Sequence, residues 1–283
     1  VSVRGAEATG RPRIGPHVIA AAHPDHRPDA WLASQLDPPP RRGARLVDVT
    51  YDLADGIATI TIDDGKANAL TAELLGALHE AVDRADADGA VIVLAGRPGR
   101  FSGGFHLPTL TAFTPASADL LKAGFDLAHR LLSFPRPVVV ACTGHAIAMG
   151  AFLLLSGDHR VGVAGGAHKI GATEVAIGMA MPWAAVEVLR QRLSRAHFER
   201  ATLLAEVFTP EGAVDAGFLD ELVPEAELLG RAHAVAARLA TLDAKAHAVT
   251  KVRARSAMLE ALASAIGRDD EELRAAIAQH RAP

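Results

Sequence analysis

Two short stretches set the terms of this fold. "AVIVLAG" (90–96) and "PVVVACTG" (137–144) are apolar runs that each end in glycine. Runs of this length, bounded by turn residues, predict strands buried on both faces. Helical patterns alternate with them. "TAELLGALHEAVDRAD" (71–86) opens with Thr71 as N-cap and repeats its apolar residues three and four apart, and 115–134 reads the same way. Strand and helix in alternation predict parallel strands joined by crossover helices, an α/β fold. Upstream, "LVDVTYDLADGIATITI" alternates apolar and polar on both sides of Asp55-Gly56, which predicts a hairpin. Beyond Pro182 the pattern is helical, at 183–193, 195–206, 210–216, 225–241, 244–264 and 268–280, with one strand at 218–223. No internal repeat is visible. The expected division is a flexible extension (1–44), an α/β core (45–205) and a helical C-terminal region (206–283).

Composition narrows the function classes. The 283 residues are 49% apolar and 22% charged, an ordinary globular balance. A formal net charge of −4 gives no global field for nucleic acid or an anionic membrane. The one cysteine, Cys142, lies in an apolar strand, which excludes an intrachain disulfide and a thiolate zinc cluster and fits a cytoplasmic protein. No apolar run reaches the ~18 residues of a membrane span, and 17–22 is too short and mixed for a signal-peptide core. The first 44 residues are rich in proline, arginine and histidine without a period. His23, Asp25 and His26 there read as a solvated tail rather than a metal site, because no helix or strand fixes their geometry.

The chemistry gathers at two turns. "AVIVLAG" runs into "RPGRFSGGFHL" (97–107), and "PVVVACTG" runs into "HAIAMG", with a helix expected after each. Ligands of open α/β sheets collect at such strand ends, and two turns can each offer one N–H to a single oxygen. Neither turn carries a phosphate-loop or dinucleotide fingerprint. A third segment, "HKIGATEVAIGMAMP" (168–182), sets Glu174 in apolar surroundings. Glu174 reads either as a capping carboxylate or as a partly buried base of raised pKa.

Together these segments resemble the crotonase superfamily, the enoyl-CoA hydratase/isomerase family, over about 46–283. "DDGKANAL" (63–70) is similar to its first CoA-binding segment, "RFSGGFHL" to its first oxyanion turn, and "GHAIAMGAFLLLSGDHRV" to its second. "IGATEVAIGMAMP" is similar to the P-E-x-x-x-G segment, and "FTPEGAVDAGFLDELVPEAEL" to the stretch that follows. The resemblance implies a ββα spiral core with a helical C-terminal region, and a trimer or dimer of trimers. It implies an acyl-CoA thioester substrate, with no metal and no cofactor beyond the coenzyme A of the substrate. By position, the oxyanion donors are the N–H groups of Phe105 and Met149, and Lys66, Ala67, Ala69, Gly104, His106, Leu107 and Phe152 fall at substrate- or CoA-binding positions. The family's second glutamate falls on Glu174. Its first falls on Phe152, which cannot accept a proton. His106 replaces the usual Asp of the first turn, and Ala148 and Met149 replace glycines of the second.

One carboxylate and an oxyanion hole imply double-bond migration in a 3-enoyl-CoA, and the branch resembled most is the Δ3,Δ2-enoyl-CoA isomerases. Other readings are a hydratase using His145 or His106, another acyl-CoA reaction such as thioester hydrolysis or decarboxylation, and a non-catalytic acyl-CoA binder. Trp183 reads as core or pocket wall. Asp158 reads as a cap or as a tie to the following strand. Lys251, Arg253 and Arg255 read as a solvated helix face or as CoA-phosphate ligands.

Overall fold

The structure is a computed structural model that describes residues 48–281. The 1–44 extension, with His23, Asp25 and His26, lies outside the described residues. Strands β1 (Asp48–Ala54) and β2 (Ile57–Asp63) form the expected hairpin. Asp55 and Gly56 both take positive φ, 52° and 75°, the geometry that matches a two-residue turn to the twist of its strands. A short strand β3 (Ala69–Leu70) leads into helix α1 (Ala72–Ala87). The Thr71 hydroxyl caps α1 by accepting from the Leu74 N–H at 3.1 Å.

A unit then occurs three times: a long buried strand, a corner, a short strand, a helix. The first is β4 (Val91–Ala95), β5 (Gly99–Ser102) and β6 (Gly104–Phe105), followed by α2 (Leu107–Thr111) and α3 (Pro115–Ser133). The second is β7 (Val138–Cys142), β8 (Gly144–Ile147) and α4 (Met149–Leu155). The third is β9 (His159–Val163), β10 (Ile170–Gly171) and α5 (Trp183–Arg192). Helices α6 (Arg195–Leu203) and α7 (Pro210–Ala216), strand β11 (Glu221–Val223), and helices α8 (Leu228–Ala240) and α9 (Ala244–Arg281) complete the chain.

The long strands build one sheet in the order β1-β2-β4-β7-β9-β11, parallel after the hairpin. The short strands build a second sheet, β10-β8-β5, and β3 pairs with β6. The repeat is thus structural and hidden from the sequence, because its short strands are only two to four residues long. The glycine-rich segments that read as turns are themselves these strands. Gly144 shows why the corner needs glycine: a Cβ there would lie 2.0 Å from the Gly99 carbonyl carbon.

Alternation along the long strands sends side chains to two cores. Val91, Val93, Val139, Ala141 and Val161 face α8, whose Leu228, Ala232, Val235 and Ala236 cover them. Ile92, Leu94, Val138, Val140 and Cys142 face the larger core under α1, α3, α4 and α5. Residues 206–283 are not a helical appendage alone, since β11 extends the main sheet and α8 covers one of its faces.

The two helices expected at 244–264 and 268–280 are one 38-residue helix, α9. Asp269, within α9, caps another helix: its carboxylate accepts from the N–H groups of Trp183 and Ala184 at the start of α5, both at 2.9 Å. Trp183 is neither core nor cavity wall. It is 43% exposed, under the Arg268 guanidinium at 3.6 Å. Lys251 and Arg255 do not lie on a solvated face. Lys251 is buried and Arg255 half-buried, and they pair with Asp158 at 2.7 and 2.8 Å, whereas Arg253 is exposed. Asp158 also accepts from the Val138 N–H at 2.8 Å and so ties down the start of β7.

Candidate active site

The site is built from three backbone segments at the far ends of the strands. The first is the β5–β6 turn. Buried Asn68 donates to the carbonyls of Ile62, Arg100 and Phe101 and so fixes this turn to the end of β2. Ser102 donates to the Asn68 carbonyl at 2.8 Å and accepts from the Gly104 N–H at 3.1 Å. The His106 N–H donates to Leu70 of β3. Successive N–H groups of a strand point to opposite sides, and β6 pairs with β3 alone, so the Phe105 N–H points away from that pairing.

The second segment is the β8–α4 corner. The Ala148 N–H donates to Gly171 of β10 at 2.9 Å, and its carbonyl accepts from Ala151 and Phe152. Met149 is therefore the first residue of α4, and its N–H has no acceptor within the helix. The two turns touch at Gly104, which has φ +91°. A Cβ there would lie 2.9 Å from the Ile147 carbonyl oxygen and 3.3 Å from the Met149 nitrogen. Only glycine lets the turns approach this closely. Ala148 holds φ 51° and ψ −124°, a conformation that glycine adopts freely and alanine does not.

The third segment carries Glu174. β10 pairs with β8 in parallel, Ile170 with Ala146 and Gly171 with Ile147, and so delivers the following residues to the corner. Glu174 begins a single 3₁₀ turn, and its carbonyl accepts from Ile177 and Met179. The side chain is 6% exposed, and its Oε2 has no hydrogen-bond partner. Burial pushes the carboxyl pKa up to about 7, against a smaller opposing pull from the backbone N–H groups of Glu174 and Thr173.

These segments enclose a cavity of about 50 Å³, lined by Gly103, Phe105, Leu107, Leu110, Ile147, Ala148, Thr173, Glu174, Ile177 and Met179. Glu174 is the one ionisable residue among them. A roomier trough of about 420 Å³ lies at the other end of the strands, along Asp158, Lys251 and Arg255. There the charged groups are already paired with one another, so the smaller cavity is the candidate site.

Of the residues expected here, Phe105, Leu107 and Glu174 line the cavity, and Gly104 and Met149 adjoin it. Phe152 does not reach it: the ring is 1% exposed and stacks on Phe125 at 5.7 Å between centroids. Lys66 and Ala67 lie in the loop before β3 and Ala69 opens that strand; Asp64 knots the stretch, its carboxylate accepting from the N–H groups of Lys66, Asn68 and Ala69. They set the first turn from outside, since the Ala67 carbonyl accepts from Gly103. His106 lies off the cavity wall with its Nδ1 2.8 Å from the Thr109 hydroxyl. His145 lies off it too, accepting from the Lys169 N–H at 3.0 Å. Burial foremost, with Arg100, His168 and Lys169 nearby, pushes its imidazole down to about 4. Neither histidine lines the cavity with Glu174. Sequence reasoning missed Asn68, Ser102, Leu110, Thr173 and Met179. The polar Asn68 between two alanines, beside the knot-forming Asp64, was the one available signal. Among the described residues no group of histidines, cysteines or carboxylates could hold a metal ion. No helix among them is long and apolar enough to cross a membrane.

Comparison with known proteins matches this arrangement. The family model described as enoyl-CoA hydratase/isomerase covers residues 52–281. Enoyl-CoA delta isomerase 1, mitochondrial, of Homo sapiens is 28% identical over 221 residues, 77% of this chain and 73% of that protein. Among solved structures, an enoyl-CoA hydratase from Mycobacterium marinum superposes with a TM-score of 0.77 at 48% identity, covering 80% of this chain and 99% of that one. An Mtb enoyl-CoA isomerase superposes with a TM-score of 0.76, also at 48% identity, covering 79% and 98%. Both reaction names thus occur among the relatives. The repeated strand–strand–helix unit, the paired turns and the family match lead to one conclusion: this chain belongs to the enoyl-CoA hydratase/isomerase family, with the crotonase fold.

Proposed function

We propose that the protein moves a double bond from C3 to C2 of an enoyl-CoA, with Glu174 as the one proton carrier. The supporting observation is a lone buried carboxylate, unpartnered at Oε2, beside two backbone turns that meet at Gly104. The Glu174 carboxylate removes a proton from C2. The electron pair moves toward the thioester oxygen, giving a dienolate with double bonds C1–C2 and C3–C4. The N–H groups of Phe105 and Met149 hold that oxygen as its charge grows. Loss of one such donor typically costs about 2.7–4 kcal/mol, so two can carry much of the stabilisation. Glu174, now protonated, returns the proton to C4. The carbonyl reforms and the double bond stands between C2 and C3. A base near pKa 7 suits the step, because a large share of it is ionised at neutral pH and it can still give its proton back.

Hydration would need a second group to activate water, and no other cavity residue can do so. The discriminating experiment incubates the protein separately with a 3-enoyl-CoA and a 2-enoyl-CoA and locates the double bond and any hydroxyl in the products. The proposal expects conjugated 2-enoyl-CoA from the first and little change in the second. A 3-hydroxyacyl-CoA formed from the 2-enoyl-CoA at a comparable rate would overturn it.

A further inference from the structure

The wall that keeps Glu174 dry is thin. From Val175 to Pro182 the chain forms no regular element beyond the single 3₁₀ turn, and Val175, Ala176, Gly178 and Ala180 are exposed. Every second residue turns inward: Ile177 and Met179 line the cavity, and Met181 packs on the core. At its upstream end this segment is held by β10 and by the Glu174 carbonyl. At its downstream end it runs straight into α5, whose first N–H groups have no partner within that helix.

The partner comes from another part of the chain. Asp269, 4% exposed in the middle of α9, accepts from both Trp183 and Ala184. Around this contact Arg268 covers the Trp183 ring, and the Trp183 indole N–H faces Glu272 at 3.3 Å. Arg268 and Glu272, both of its own helix, are the charged groups that act on Asp269, and α5 presents backbone N–H groups to it. Burial is costly for this carboxyl and pushes it up to about 6, so packing alone does not account for an acid here. Its two backbone bonds fix where α5 starts, and with it where the wall over the cavity ends.

We propose that Asp269 is a positioning residue for Glu174, pinning the downstream end of the 175–182 wall so that water stays away from the Glu174 carboxylate. The role goes beyond capping. A cap lost from α5 weakens one helix, whereas a loosened wall changes the environment of a carboxylate that Asp269 never touches. The inference deepens the isomerase reading, since it concerns the base that reading employs.

The test titrates Glu174 directly, by carbon NMR of protein labelled at glutamate carboxyls, with Glu174→Gln identifying the signal. The readout is independent of turnover, so failure of the isomerase reading and failure of this one are distinguishable. In Asp269→Ala the Glu174 midpoint is expected to move down by about one pH unit or more as water enters. Asp269→Asn keeps one acceptor oxygen and is expected to restore part of that shift. Asp270→Ala, which removes a neighbouring acid paired with Arg274, is expected to leave the midpoint in place. An unmoved midpoint in folded Asp269→Ala overturns the proposal, and so does an equal shift in Asp270→Ala. Should Asp269→Ala not fold, Asp269→Asn decides: a downward shift supports the pin, and none overturns it.

Discussion

Two carboxylates mark the two ends of this molecule, and their surroundings could hardly differ more. Asp158, at the start of the strands, is met by a lysine, an arginine and a backbone N–H. Glu174, beyond the other strand ends, has a buried oxygen that meets nothing. The first ties β7 to α9, and its charge is met by two cations. The second lies beside two backbone turns and keeps its basicity unspent. Of these two carboxylates, the one met by cations holds structure, and the one with an unmet oxygen lines the cavity.

The largest expected effect tests the second half of that contrast. Glu174→Gln should lower isomerase turnover by about 10²–10⁴-fold, the range associated with loss of a general base. Steady-state rates on a 3-enoyl-CoA measure it, and near-wild-type activity would make Glu174 structural. Asp158→Ala should instead cost stability, about 3–5 kcal/mol, because Lys251 stays buried, and Arg255 half-buried, without their counter-charge. Chemical denaturation reads this directly, and a loss below about 1 kcal/mol would reduce the cluster to an ordinary surface pair.

The same contrast gives Glu174→Gln a second effect of opposite sign. The folded-state pKa of Glu174 is raised from 4.5 to about 7, so the folded protein holds a proton that the unfolded chain releases between those values. Stability from this group is therefore highest below pH 4.5 and is lost as pH rises through 7. At pH 8 the glutamine variant should be the more stable by up to about 3 kcal/mol, and the gain should fade on acidification. Equal melting temperatures for the two proteins at pH 8 would mean that the carboxylate is solvated after all. The smallest effect concerns the strained corner. Ala148→Gly should relieve part of the positive-φ cost and raise stability by about 1 kcal/mol. A loss of stability would show that the alanine methyl contributes more through packing than its backbone costs.

What could be read from the sequence follows the range of the interactions. The Asp55-Gly56 hairpin, the Thr71 cap and the long buried strands rest on neighbours in the chain, and they stand where expected. Asp269 carried no sign of its role because the helix it caps begins 86 residues earlier. Lys251 looked solvated because its carboxylate is 93 residues away. The short strands were hidden because their partners are other corners of the fold, not neighbours in sequence. At the site, the resemblance named Phe105, Met149 and Glu174, of which Phe105 and Glu174 line the cavity and Met149 adjoins it. It also suggested that Phe152 faces the substrate, whereas the ring instead joins Phe125 in the core. The unmet Oε2 of Glu174 is a property of packing that no pattern of residues announces.

The most direct test of the account is the pH dependence of kcat/KM for 3-enoyl-CoA isomerisation, which reports the ionisation of the free enzyme. A dry Glu174, unpartnered at Oε2 and acting as base, predicts activity that falls on acidification along a single limb centred near pH 7. That limb should be absent from any residual activity of Glu174→Gln. A limb near the ordinary glutamate value of about 4.3, or the same limb in the glutamine variant, would contradict it.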